Sequence, residues 1–329
     1  MYVEQPYVIS QSSLSQINAR RSGIIRFCLC CGIGFCCSLI TAVLVTFLVF
    51  YFGPYQTIVS SPLSYPDFVC SQQPCGCPNY NYGQISKWRI QGKNEPLPMT
   101  YPWLVVLAYR HTSDGFCSGF IISPNTVLTA AHCLYARNPF EVQIVAKVHD
   151  LRLSNGERYD IDRWHIHSEY QHNNTMHLND IALIKIKQIF SSDLRFCCLP
   201  STILSIYPPA QTKAVVSGWG RSISNLNSRI SSVLQHFVLP IVDTHNVKCR
   251  SIIIDSQRQL CAGSHIFSLD TCPGDSGSPL LTVEYDDLDQ GHFVATGIVS
   301  YGNRHCDMSI SSGVYTRVGF YLPWIKSLL

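Results

Sequence analysis

After Arg89 the apolar residues come in short β-branched runs, and this punctuation restricts the fold more than any other feature of the chain. Trp103-Leu104-Val105-Val106-Leu107, Ala214-Val215-Val216 and Ala295-Thr296-Gly297-Ile298-Val299 are each only a few residues long and are bounded by Gly, Pro and Asn. Such runs read as strands, because branched side chains pack well on a pleated surface and the flanking residue types end it. Leu322 to Leu328 reads as a terminal helix. Residues 90–329 therefore fit one all-β domain, a length that barrels commonly reach as a single unit.

The preceding residues are of a different kind. Phe27 to Phe52 contains no charged side chain and exceeds the ~20 apolar residues that cross a bilayer as a helix. Arg20, Arg21 and Arg26 precede it and no Lys or Arg follows until Lys87, so the positive-inside rule makes residues 1–26 a cytoplasmic tail and puts the rest outside the cell. The expected location is the plasma membrane, in single-pass type II orientation. The alternative is a cleaved signal peptide and a secreted protein, although signal peptides have apolar regions of only about 7–15 residues. Residues 53–89, rich in Pro, Ser, Tyr and Asn, leave no room for a second globular domain and read as stem and propeptide. The net charge of +3 is dispersed rather than gathered into a basic stripe, which argues against nucleic acid as a partner. Of the 16 cysteines, Cys28, Cys30, Cys31, Cys36 and Cys37 lie in the apolar run and the others downstream, where they indicate an oxidising compartment.

Three short motifs carry chemistry. Gly274-Asp275-Ser276-Gly277 places a serine between glycines; Ala131-His132-Cys133 supplies a base; Asn179-Asp180-Ile181 supplies a carboxylate. A serine hydroxyl is a weak nucleophile at neutral pH, so acyl transfer needs a base within hydrogen-bond reach and a third group to hold that base in one tautomer. Each motif alone could be a polar turn or a core histidine, but all three at domain-scale intervals point to catalysis. The order His132, Asp180, Ser276, with these flanks, resembles the chymotrypsin/trypsin family of serine peptidases, and the resemblance covers Ile90 to Leu329. It implies two six-stranded antiparallel β-barrels with the triad between them and a C-terminal helix. With a transmembrane helix over residues 27–52, the whole is similar to a type II transmembrane serine protease.

The resemblance assigns further roles. Arg89-Ile90-Gln91-Gly92 matches an activation junction, where the cut frees the amino group of Ile90 to pair with Asp275; Gln91 and Lys93 depart from the family pattern. The backbone N–H groups of Gly274 and Ser276 match the oxyanion hole. Asp270 matches the base of a primary pocket that selects Lys or Arg, with Ser300, Gly302 and Gly313 along the substrate strand and the pocket walls. Ser300 is also expected to hydrogen-bond Asp180. Pro273, Tyr301 and His305 depart from the usual pocket residues and suggest a restricted substrate range, while Ser278 stands where the family usually has glycine. Family-like disulfides pair Cys117 with Cys133, Cys249 with Cys261, and Cys272 with Cys306. Cys198, just before Leu199-Pro200, pairs with Cys75 or Cys77, so one odd cysteine is left among Cys70, Cys75, Cys77, Cys197 and Cys198.

Asn173-Asn174-Thr175 is a glycosylation sequon. Nearby His165, His167, His172 and His177 match no standard metal-site spacing and read as a surface loop leading to Asp180; neither metal nor cofactor is expected. The expected function is a zymogen of a membrane-anchored serine endopeptidase that cuts after Arg or Lys, with protein substrates and protein protease inhibitors as partners. The competing expectation is a catalytically silent homologue that acts as a cell-surface binding protein.

Overall fold

The computed structural model describes residues 70, 74–78, 95–110, 115–153, 155–172, 176–201, 207–220, 231–263, 274–302 and 312–329, all within the compact unit Leu63–Leu329. The apolar run 27–52, Arg89, Ile90, Gln91, Asn173, Asp270, Cys272, Pro273, His305 and Cys306 lie outside the described residues. Among the described residues no helix is long and apolar enough to cross a membrane.

The first half contains β1 (Leu104–Tyr109), β2 (Gly115–Ser123), β3 (Thr126–Thr129), β4 (Val142–Ala146), β5 (Glu157–Ile166), β6 (Gln171–His172), β7 (His177–Leu178) and β8 (Ala182–Ile186). The second holds β9 (Lys213–Gly218), β10 (Gln235–Val242), α1 (Val247–Arg250), β11 (Gln259–Ala262), β12 (Pro279–Tyr285), β13 (Gly291–Tyr301), β14 (Gly313–Arg317) and α2 (Leu322–Leu328). Antiparallel pairing closes one barrel in the order β1-β2-β3-β8-β5-β4 and another in the order β10-β11-β14-β13-β12-β9, while β6 and β7 form a separate two-stranded sheet. The expected two six-stranded barrels and the terminal helix are thus present. All three apolar runs lie on strands, except that Trp103 stands just ahead of β1, where its carbonyl accepts from Ile121 at 2.8 Å.

Strands β4 and β8 are buried at every position, so they lack the polar alternation of a half-solvated strand. Their inward side chains fill the barrel and their outward ones meet neighbouring elements. One apolar cluster runs from the first barrel, through Trp103, Phe120, Leu128, Ile144 and Leu183, to Leu281, Phe293 and Ile298 of the second and Ile325 of α2. Each such side chain contributes roughly 1.5–3 kcal/mol by leaving water. At this seam Tyr101, Trp103 and Phe293 meet edge to face with centroids 6.1–6.2 Å apart. The seam is therefore a packed joint, rigid enough to hold catalytic groups contributed from both sides.

The stem enters the same joint. The Gly76 N–H donates to Phe196 O at 2.7 Å, and Phe293 N–H donates to Gly76 O at 2.9 Å. A Cβ on Gly76 would stand 2.3 Å from Phe293 O, and its φ of +72° also favours glycine.

Candidate active site

His132 lies in a short 3-10 turn, Ala131–Cys133, that follows β3. Its ring Nδ1 is 2.8 Å from Asp180 Oδ2, and its backbone N–H donates to Asp180 Oδ1 at 2.8 Å. From β13 of the opposite barrel, the Ser300 hydroxyl donates to Asp180 Oδ2 at 2.5 Å; from β14, Thr316 Oγ1 donates to the Asp180 carbonyl at 2.8 Å. Asp180 is wholly buried, while the His132 side chain keeps 18% of its surface exposed. A buried carboxylate with this many donors stays ionised and holds the imidazole in the tautomer with Nδ1 protonated, leaving Nε2 to act as base. Burial, the largest single influence, pulls the His132 pKa down, but the charge and hydrogen bond of Asp180 together outweigh it, and the value is raised. Burial likewise pushes Asp180 up, yet His132 and its other donors bring the value below that of an ordinary aspartate.

The backbone at Asp180 is set by its neighbour. Asn179 adopts a φ of +54°, a region that asparagine visits more readily than most residues. Its side-chain amide donates to Glu169 O at 2.8 Å, and its Oδ1 accepts from the Tyr321 hydroxyl at 2.8 Å.

Ser276 sits on a turn before β12. The Gly277 N–H donates to Val299 O, the Ser278 N–H to Asp275 O, and the Ser118 N–H of β2 to Ser276 O, at 3.0, 2.9 and 2.8 Å. The turn is thereby pinned to both barrels. Gly274 and Gly277 have φ of +111° and +83°, and a Cβ on Gly277 would lie 2.2 Å from Ser118 O. Glycine is required at both positions. The half-buried Ser276 reaches the histidine's surroundings: the Cys133 sulfur is 3.7 Å from His132 Nε2 and 3.8 Å from Ser276 O. Asp275 is buried, and one of its oxygens accepts from Gly220 N–H at 2.8 Å; a Cβ on Gly218 or Gly220 would come within 2.2 Å of its carboxylate. Ser278, a departure from the family pattern, is fully buried with no hydrogen-bond partner for its hydroxyl among the described residues.

The structure brings Ser300, Gly302 and Gly313 to adjoining strand ends, with Gly302 exposed and Gly313 buried. Asp270, Arg89 and Ile90 fall outside the described residues, as does the expected Cys272–Cys306 bridge. Disulfides Cys117–Cys133 and Cys249–Cys261 form as expected. Between the two partners left open for Cys198 the structure takes Cys75; Cys70 pairs with Cys77, and the odd cysteine is the buried Cys197. Because Cys117 and Cys133 are bonded to each other, their grouping with His132 is not a ligand set for a metal ion.

Sequence reasoning gave no role to three residues. Thr316 acts on Asp180 only through a tertiary contact, so its sequence surroundings carried no signal; Asn179 stands in the Asn179-Asp180-Ile181 motif, but its positive φ and its bonds to Glu169 and Tyr321 arise only in the fold. Arg137 stacks over Phe116 at 4.1 Å, donates from Nε to Cys133 O at 2.8 Å, and opposes protonation of His132 by its charge. The histidine-rich segment is in part the hairpin β6–β7 rather than an irregular loop, and the His177 ring stacks on His132 with centroids 5.2 Å apart.

Residues 90–325 match the family model described as Trypsin. The chain is similar to Melanization protease 1 of Drosophila melanogaster, 30% identical over 276 residues that are 75% of this chain and 67% of that protein. It is also similar to CLIP domain-containing serine protease B8 of Anopheles gambiae, at 33% identity over 69% of this chain and 62% of that one. A third relative is the Phenoloxidase-activating enzyme of Bombyx mori, at 31% identity over 70% and 58%. The chain thus spans about three fifths to two thirds of the length of these relatives. Its matched span contains His132, Asp180 and Ser276, and the chain belongs to the trypsin family of serine proteases.

Proposed function

We propose that this protein is a membrane-anchored serine endopeptidase, made as a zymogen, activated by cleavage after Arg89, and selective for peptide bonds that follow Arg or Lys. The observation that carries the catalytic part is the network in which buried Asp180 holds His132 from one barrel and accepts from Ser300 of the other, beside a turn that presents Ser276. His132 Nε2 takes the Ser276 proton as Oγ attacks the substrate carbonyl. The N–H groups of Gly274 and Ser276 receive the charge on the tetrahedral oxygen. His132 then passes the proton to the leaving amine, and a water molecule, activated in the same way, frees the acyl group.

Arg/Lys selectivity is supported by Asp270, six positions before Ser276. Activation is supported by the basic residue at Arg89 and by the burial of Asp275, whose carboxylate would pair with a new Ile90 amino group; an ammonium buried there is tolerable as half of such a pair. Anchoring is supported by the uncharged run 27–52 and the arginines ahead of it. Asn173 offers a glycan site consistent with an extracellular domain. The name of the Bombyx mori relative, an activating enzyme, supports limited cutting of a particular protein over general digestion.

The test is turnover of peptides ending in Arg, Lys, Phe or Ala by the protein cut after Arg89, beside a Ser276→Ala control. Turnover of Arg and Lys peptides alone, absent from the control, is expected. A folded, fully cut protein that turns over none of them would establish the silent binding protein instead.

A further inference from the structure

Ser278 is fully buried, and its hydroxyl has no hydrogen-bond partner among the described residues. A buried group left orphaned in this way is costly. Its backbone is fixed on both sides: the Ser278 N–H donates to Asp275 O at 2.9 Å, and the Val299 N–H donates to Ser278 O at 2.9 Å. What the hydroxyl faces is shown by Gly218, the last residue of β9. A Cβ on Gly218 would stand 3.2 Å from Ser278 Oγ and 2.2 Å from Asp275 Oδ1. Two oxygens this close to one point can both be reached by a single nitrogen with bonds of about 2.9 Å. The other carboxylate oxygen faces Gly220, whose Cβ would stand 2.1 Å from Oδ2. Glycines at 218 and 220 thus keep side chains away from the place where the Asp275 carboxylate and the Ser278 hydroxyl meet.

We propose that Ser278 is a positioning residue for activation: its hydroxyl oxygen accepts a hydrogen bond from the α-ammonium freed at Ile90, beside Asp275, and tightens the capture of that chain end. The inference rests on the activation reading above, to which it adds a second partner. Hydrolysis of the Arg89–Ile90 bond leaves a carboxylate on Arg89 and an ammonium on Ile90, and that ammonium brings three N–H donors. Asp275 Oδ1 already accepts from the Gly220 N–H at 2.8 Å, so the carboxylate gives part of its accepting capacity to the backbone. A buried ammonium with an unmatched donor is costly, and Ser278 Oγ is a buried acceptor within reach of the same point. Glycine, the usual residue here, offers no such atom. The hydroxyl is orphaned before the cut and paired after it, so one side chain weakens the intact chain and strengthens the ordered, cut one.

The test uses full-length Ser276→Ala protein, so that activity plays no part in it. After the cut, cyanate carbamylates the Ile90 amino group, and the rate is followed by mass spectrometry. Adding Asp275→Asn should bring labelling to the rate of an exposed amine. Adding Ser278→Ala should speed it roughly tenfold or more, the size expected for one hydrogen bond to a charged group. Ser278→Ala keeps the Cβ and deletes the oxygen, so a role in packing alone predicts an unchanged rate. Thermal melting is the second readout. Ser278→Ala should raise the melting temperature of the intact chain by about 2–4 °C and lower that of the cut chain. Labelling unaltered by Ser278→Ala where Asp275→Asn speeds it, or melting shifts of one sign before and after the cut, would overturn the proposal and leave the activation reading standing. Wild-type labelling already as fast as an exposed amine, and indifferent to Asp275→Asn, would remove both.

Discussion

Asp180 receives donors from the backbone and ring of His132 and from the Ser300 hydroxyl, and its burial makes each of them count. Burial alone would depress His132, yet the Asp180 charge raises it above 6.5. Only neutral His132 can accept the Ser276 proton, so kcat/KM on an Arg peptide falls on the acid side with a midpoint above 6.5. Asp180→Asn removes the raising influence and leaves burial and Arg137. Its acid limb moves below 6.5, and turnover drops about 10⁴-fold, the size of effect an orienting carboxylate has in this kind of triad. A pH–rate profile of the two proteins checks this; an unmoved midpoint contradicts it. The linkage to stability has two parts: the His132 contribution is present below 6.5 and lost as pH rises through the raised value, while that of Asp180 is present above 3.8 and lost as pH falls through the lowered one. Gly220→Ala is a second residue-scale test, because its Cβ would stand 2.1 Å from the Asp275 carboxylate and displace it. We expect roughly 10²-fold lower turnover, as when an oxyanion donor is lost, with little change in circular dichroism. Unchanged kinetics would show that the Asp275 position does not govern Ser276.

At the scale of elements, the stem turn 74–78 is both bonded and docked: Cys75 joins Cys198, and Gly76 hydrogen-bonds Phe196 and Phe293. After a cut at Arg89 the stem should therefore stay with the protease on a non-reducing gel, and Cys75→Ser should yield two separate fragments. Comigration of wild-type fragments only under reducing conditions is the opposite pattern and would rule the tether out. That a cysteine ahead of the junction ties to Cys198 was legible from resemblance. The choice of Cys75 over Cys77 was not, because spacing along the chain does not say which Cα comes within bonding distance. The hairpin β6–β7 was hidden for a related reason: two residues per strand leave no period to detect, and its register depends on partners brought up by the fold.

At the scale of the whole molecule, two barrels share an apolar seam, and the catalytic groups straddle it, with His132 and Asp180 on one side and Ser276 and Ser300 on the other. A packed seam resists the small displacements that misalign a triad. If residues 27–52 cross the bilayer, the protein resists extraction by high salt and alkaline carbonate and yields only to detergent. Its appearance in the carbonate supernatant of fractionated cells would exclude a spanning helix.

The sequence by itself determined the strand-rich class, the terminal helix and the three catalytic residue types in their order, because short apolar runs and glycine-bounded motifs are local statements about backbone and chemistry. Gly277 is one such case, since its positive φ is demanded within its own turn. Only the tertiary structure decided that Thr316 serves Asp180, that Cys197 has no disulfide partner among the described residues, and that His177 stacks on His132. Those facts depend on strands distant in the chain arriving at one place, and no stretch of sequence short enough to show a pattern contains both partners.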